Sequence, residues 1–376
     1  MVSTKAQLPR KLRAHLNGEA LISNLREIFS NINDSRQFPE YPLEDVLSTG
    51  FATFKLKKPN LCHLDHMREE IDPIYMNNMN KVFKVNKIIS DTQCRAVIDL
   101  VDFRLLLPCF KNIFSVIQRG KLHEEFKSKD GYQRVAIDGT QYFSSKEIRC
   151  DGCQEKHHEN GTVTYSHSML TAVMVSPDKK QVLPMLVEPI VKQDGETKND
   201  CELNAGERML YSLRNSYPKL KMRVIEDGLY SKAPHIRLLK ELDFSFIIGA
   251  KEKDHTYLYG LVEKLKTPEG FELLKEDLKE FSNLTRLGTG KVCEHEVEEA
   301  TKKGKVIHKF TYINNVPLNA SNKDLAVNFL EYKEETLNEK GELTKVQRFA
   351  WVTDVEIADD NVYDLMREAR SRWRIE

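Results

Sequence analysis

The segment Tyr132–Phe143, YQRVAIDGTQYF, marks the point where the chain changes its hydrophobic period. Apolar residues upstream recur at helical spacing in LISNLREIFSNI, YPLEDVLSTGFATFKL, DPIYMNNMNKVFKV and SDTQCRAVIDLVDFRLLLPCF, with Asp and Ser at N-cap positions. From Tyr132 onward β-branched and aromatic residues dominate, and YSHSMLTAVMVSPDKKQVLPMLVEPIV continues the pattern around the turn signal SPDKK. This reading gives three consecutive antiparallel strands. A helix entered at Asn199 or Asp200 and stopped before Pro218 follows, then the strand LKMRVIED, a helix with Pro234 in its first turn, and the strand FSFIIGAK.

The predicted organisation is therefore α/β. Residues 1–128 form a helical N-terminal domain and 129–253 the first part of a catalytic domain. The Lys/Glu-rich stretch 254–350 is a mostly β insertion, and 351–376 carries the final helix. At 376 residues the chain exceeds the ~250–300 residues at which a single core stops growing, which predicts more than one domain.

Composition narrows the class. With 40% hydrophobic and 30% charged residues the chain reads as an ordinary globular protein. No run approaches the ~18 apolar residues of a membrane span and the N-terminus lacks an apolar signal core, so the expected location is the cytoplasm. Seven cysteines, an odd number, read as reduced thiols. The net charge of +0 places any nucleic-acid contact in local patches, of which KAQLPRKLRAH and FKLKKPN are the clearest.

Three carboxylates stand out. Asp138 ends the apolar run Val135–Ile137 and is followed by Gly139; Asp227 ends VIE and is followed by Gly228. An ionised carboxylate at the end of an apolar strand is costly unless paired. An Asp-Gly step also opens a turn, but two in matched positions present two carboxylates at one sheet edge. In the last helix Val362, Leu365, Met366, Ala369 and Trp373 form an inward stripe that extends to Glu376. Arg372 lies one turn before Glu376, and Arg370 and Arg374 lie on a neighbouring face suited to phosphate. Three acids of this kind suit two Mg2+ or Mn2+ ions and in-line phosphoryl transfer.

With these residues in place the chain resembles the DDE-type insertion-sequence transposases of the bacterial cut-and-paste group, in the ribonuclease-H-like superfamily. The resemblance covers about residues 130–376 and rests on AIDGT, VIEDG, the β insertion and the closing RSRWRIE. It implies a mixed sheet in the order β-β-β-α-β-α-β-α and helices at the N-terminus that bind the element's ends. Asp138, Asp227 and Glu376 would be the Mg2+-binding catalytic triad, and Arg372 the arginine of the signature Tyr-x2-Arg-x3-Glu-x6-Lys. The implied partners are terminal inverted repeats and target DNA, bound by a homodimer at the bacterial nucleoid. Two departures are visible: Ala369 replaces the signature tyrosine, and the chain ends at the glutamate. The latter reads as a C-terminal truncation with weak or absent activity. The alternatives within this reading are a catalytically inactive DNA-binding remnant and a nuclease of the same fold.

A second metal reading concerns CDGCQEKHH, where Cys150, Cys153, His157 and His158 open like a zinc knuckle. The usual fourth position, 163, is valine, and His167 is a substitute. A reduced hairpin without metal is the competing reading. Asp194, Glu196, Lys198 and Asp200 precede a helix and read as a polar loop with a cap. Trp351 reads as core, with base stacking as the alternative.

Overall fold

The structure is a computed structural model and describes residues 14–192, 198–270, 272, 291–301 and 304–375. The chain divides into two compact units, Met1–His123 and Glu124–Glu376.

The first unit is helical. Its helices are α1 (Gly18–Ser30), α2 (Leu43–Lys55), α3 (Leu61–Glu69), α4 (Pro73–Lys81), α5 (Asp91–Ile98) and α6 (Pro108–Arg119). Asn17, Asn60, Asp72 and Ser90 each accept a backbone N–H in the first turn that follows them, which satisfies donors that a helix start leaves open. The apolar pattern of residues 90–110 breaks at a 3-10 turn, Phe103–Leu106, and Pro108 starts a new helix. Ile22, Ala52, Leu64, Tyr75, Met79 and Phe83 close one core. Buried Asp45 ties the elements together: it accepts from Arg26 Nη2 at 2.8 Å and from the N–H groups of Asn86 and Lys87 at 3.0 and 3.2 Å.

The second unit is built on one large mixed sheet. In chain order its elements are β1 (Gln133–Ser145), β2 (Gln154–His157), β3 (Val163–Met174), β4 (Leu183–Ile190), α7 (Lys198–Ser216), β5 (Met222–Glu226), α8 (Ala233–Glu241), β6 (Ser245–Gly249) and α9 (Thr256–Leu265). These are followed by β7 (Cys293–Thr301), β8 (Gly304–Pro317), β9 (Ala326–Asn338), β10 (Leu343–Thr353) and α10 (Val362–Arg370). The strands run β2-β3-β1-β5-β6-β10-β9-β8-β7, and β4 also pairs with β3. β1, β5 and β6 are parallel, while the remaining pairs are antiparallel.

Two features differ from the sequence reading. The short β2 stands between the first two expected strands, because Gln154–His157 pairs back on Val163–Ser166 across a turn at Asn160-Gly161. The strands of the Lys/Glu-rich stretch continue the same sheet, since Trp351 and Val352 of β10 pair with Gly249 and Ile248 of β6.

α10 packs on this sheet through Val362, Leu365, Met366 and Ala369, against a layer that includes Phe310, Tyr332 and Trp351. Phe310, Tyr332 and Phe349 are direct cross-strand neighbours whose rings stack at 5.2 and 6.2 Å, a favourable arrangement on a pleated surface. The back of the helix is fixed by charge: Glu368 Oε1 lies 3.0 Å from Arg134 Nε of β1 and Oε2 accepts from Arg223 Nη1 of β5 at 2.8 Å. Arg223 also pairs with Asp130. A buried carboxylate held by two arginines from adjacent strands sets where α10 begins its descent toward the ends of those strands.

Candidate active site

β1 and β5 are parallel, with Val135 beside Val224 and Ala136 beside Ile225. Two residues further on, Asp138 and Asp227 stand at matching positions on neighbouring strands, whose axes lie about 4.8 Å apart. Asp227 follows the last residue of β5, whereas Asp138, read from the sequence as a strand end, lies within β1, which runs on to Ser145 paired with β3. Both are half-buried. Their orientation is set by nearby backbone N–H groups. Asp138 Oδ1 accepts from the Gly139 N–H at 3.0 Å, and Asp227 Oδ1 from the Leu229 N–H at 2.8 Å. Asp138 Oδ2 accepts a 2.6 Å charge-assisted bond from Arg372 Nη1, in a pair whose side chains are 18% and 27% exposed.

The glycines after each aspartate are needed for close approach. A Cβ on Gly228 would stand 3.3 Å from the Gly249 carbonyl, and one on Gly249 would stand 3.0 Å from the Gly228 N, so the β5 and β6 ends meet backbone to backbone. A Cβ on Gly139 would stand 3.3 Å from Glu202 Oε1. That contact reveals a carboxylate absent from the sequence reading. Glu202 sits near the start of α7, beside Gly139 in the middle of β1, and accepts from the buried Tyr230 hydroxyl at 3.3 Å. Burial drives the Tyr230 phenol far above its ordinary range, and the charges of Glu202, Glu226 and Asp227 drive it the same way. Acidic groups from α7 and β5 therefore converge on one phenol. Glu202 belongs to the helix that the sequence predicts from Asn199 or Asp200, but only the crossing of α7 over β1 singles it out. Glu226, next to Asp227, points the other way into the core, where His235 Nε2 lies 2.8 Å from its Oε2.

Beside Asp227 lies a cleft of about 510 Å3 whose lining includes Lys251, Arg348, Arg370, Arg372 and Trp373. The arginines of the last helix are not one surface. Arg372 points to Asp138, Arg370 binds Glu334 at 2.6 Å, and Arg374 donates to the Pro177 carbonyl at 3.2 Å near the β3–β4 turn. Arg367 pairs with Asp178 at the same turn, at 2.6 Å.

The sequence pattern placed Trp373 on the inward stripe, yet it is 40% exposed, while Trp351 is 7% exposed. The helix tightens to 3-10 geometry over Ser371–Arg374, where each residue turns by about 120° instead of 100°, and the stripe rotates outward. Trp373 now rims the cleft, 5.3 Å from the Phe349 ring and 5.4 Å from the Arg370 guanidinium. Glu376, the third member of the expected triad, lies outside the described residues, as do Asp194 and Glu196.

Asp138, Asp227 and Glu202 offer an all-oxygen donor set, which is the chemistry that Mg2+ and Mn2+ take. They match a hard divalent cation by donor type alone: among the described residues their oxygens do not gather within ligand distance of one another, as the ligand atoms of Cys150, Cys153 and His167 do.

The cysteine and histidine residues gather elsewhere. Cys150, Cys153 and His167 bring their side-chain ligand atoms together. His157 and His158, expected as ligands, do not join them: His157 lies 3.4 Å from Glu155 and His158 Nε2 lies 2.8 Å from Thr164 Oγ1. The reason is register. His157 is four residues along β2 from Cys153, about 13 Å away, and His158 begins the turn.

No family model matches the chain, and no curated protein matches it. Among solved structures it is similar to a piggyBac transposase in a synaptic complex with hairpin DNA. The identity is 10%, the TM-score 0.38, and the match covers 97% of this chain and 65% of that chain. The chain thus spans about two thirds of the length of that protein. Among the described residues, no helix is long and apolar enough to cross a membrane.

Proposed function

We propose that the chain is a DNA transposase of an insertion sequence, with a ribonuclease-H-like catalytic unit that cuts DNA at the element's ends and joins the ends to a target. The observation that carries this reading is the matched placement of Asp138 and Asp227 on adjacent parallel strands, two residues beyond the last β1–β5 pair, with Arg372 bonded to the first. The succession of β1, β3, β4, α7, β5, α8 and β6, closed by α10, supports the fold assignment.

In this reading Asp138 and Asp227 hold Mg2+ or Mn2+, and Glu202 stands beside them. The chemistry a divalent ion would supply there is a lowered pKa for a water or 3′-hydroxyl and neutralised charge on the phosphate. The chain's own residues orient the site. The Gly139 and Leu229 N–H groups fix one oxygen of each aspartate, and Arg372 holds Asp138 against the last helix. Arg370, Lys251 and Trp373 give the cleft cationic and aromatic contacts for a DNA strand. Water attacks a phosphodiester phosphorus at the element's end and expels the adjoining strand. The 3′-hydroxyl so exposed attacks a target phosphodiester in the same manner. The functional assembly is a homodimer that pairs two ends at the bacterial nucleoid.

The test uses labelled DNA spanning the boundaries of the chain's own gene, unlabelled plasmid target, and Mg2+ or Mn2+. Label that appears in plasmid identifies transposition, whereas cleavage alone identifies a nuclease. Asp138→Asn and Asp227→Asn each abolish both products while retaining DNA binding; cleavage that survives in both variants refutes the assignment.

A further inference from the structure

We propose that Cys150, Cys153 and His167 form a zinc site separate from the carboxylate site. Cys150 Sγ and Cys153 Sγ lie 3.7 Å apart, and His167 Nε2 lies 3.2 Å from the first and 3.4 Å from the second. Around a tetrahedral zinc with Zn–S near 2.3 Å and Zn–N near 2.0–2.1 Å, two sulfurs lie about 3.8 Å apart and a sulfur and a nitrogen about 3.5 Å apart. The three ligand atoms already stand close to the corners that such an ion requires.

Three independent structural features build this arrangement. The β2–β3 hairpin pairs Gln154 with Ser166, and one step further that register places Cys153 across from His167. The segment 150–153 is a turn, closed by the Cys153 N–H on the Cys150 carbonyl at 3.1 Å, which folds Cys150 back toward Cys153. The Cys150 N–H then donates to Cys153 Sγ at 3.3 Å, which holds the turn closed around that sulfur. Tyr142 stacks on the His167 ring at 6.1 Å and Phe143 lies 5.7 Å from it, which limits the ring's rotation. Cys153 is buried and Cys150 is exposed, so the side of the cluster where a fourth ligand would bind faces solvent.

The site is remote from Asp138. Phe143 is the β1 residue opposite His167, and Asp138 lies five residues further along the strand, about 17 Å away. Its role is structural. β1 carries a register irregularity between Gln141 and Phe143, and the ion fastens the segment 146–153, exposed as far as Asp151, to β3 beside it.

The experiment measures zinc in the full chain, purified with its thiols reduced and equilibrated with zinc and then with metal-free buffer. About one ion per chain is expected, as for a single structural zinc centre. Cobalt(II) in place of zinc should give the absorption of a tetrahedral ion with thiolate-to-metal charge transfer. Cys150→Ser, Cys153→Ser and His167→Ala lose the ion and this absorption, while His157→Ala and His158→Ala retain both. Trypsin provides a readout in the unaltered chain: removal of zinc accelerates cleavage after Lys146 and Arg149, both exposed. A reduced chain that holds no zinc overturns the proposal, as does loss of zinc on replacing His157 or His158 with His167 intact.

Discussion

The buried triad of Arg134, Glu368 and Arg223 gives the sharpest test of how the last helix is held. Glu368 is the carboxylate that pairs with both Arg134 and Arg223; Arg223 also pairs with the half-exposed Asp130 and shares the Ser245 hydroxyl with the buried Asp354. The side chains of Glu368, Arg134 and Arg223 are 7%, 9% and 4% exposed. Glu368→Ala strands two buried guanidinium groups, one of them without its acidic neighbour. Removal of one partner from a buried pair costs about 3–5 kcal/mol. For a unit of this size that is a fall in Tm of roughly 6–20 °C. Urea unfolding followed by tryptophan fluorescence reads the effect, because Trp351 is buried in the same core. Replacing the pair together, Glu368→Leu with Arg134→Met, removes the charges as well as the contact and should recover most of the loss, since apolar replacement of buried ion pairs is often neutral. Arg223 keeps Asp130 in that variant. A Glu368→Ala loss below about 1 kcal/mol, the value of an exposed pair, refutes the claim that this triad docks the helix. So would a double variant as unstable as the two single changes combined.

Two further outcomes follow from burial and exposure. Burial raises the Asp354 carboxyl above its ordinary 3.8, against the lowering effect of bonds from the Phe246 N–H at 2.8 Å and Ser245 Oγ at 2.9 Å. The folded state then holds a proton to higher pH than the unfolded chain, so this group's contribution is full below 3.8 and is lost as pH rises through the raised value. Asp354→Asn, whose Oδ1 can still accept both bonds, should be at least as stable as the parent at pH 7. Its advantage should vanish below 3.8, and a variant clearly less stable at pH 7 contradicts this account. The two tryptophans should separate stability from binding. Trp351→Ala costs about 3–5 kcal/mol of stability, whereas Trp373→Ala changes stability by about 0.5 kcal/mol or less and weakens DNA binding by about 1–3 kcal/mol through a lost stacking surface. Unchanged DNA affinity in Trp373→Ala would remove that residue from the proposed interface.

Much of the secondary structure was legible because local chemistry decides it. Asp72 and Ser90 cap the helices predicted after them, and the apolar runs ending at Asp138 and Asp227 are strands. The short β2 was missed because four residues with three polar exposed side chains carry almost no periodic signal. The Lys/Glu-rich stretch read as a separate insertion because its outer strands alternate weakly; its attachment depends on one pairing, β10 with β6, over three residues.

The sequence by itself determined the two aspartates that follow apolar strand residues, their glycines and the apolar stripe of the last helix, since a period of two or 3.6 is a local property. It misread Asp138 as a strand end because an Asp-Gly step also occurs within a paired strand. Only the tertiary structure decided which of these residues meet. The parallel pairing of β1 with β5 joins Asp138 to Asp227 across 89 positions of chain, and helix crossing adds Glu202. The hairpin register exchanges His157 and His158 for His167, and a 3-10 turn moves Trp373 from core to rim. Each of these is a relation between segments distant along the chain or a small rotation accumulated within one, and neither is written in the identity of any single residue.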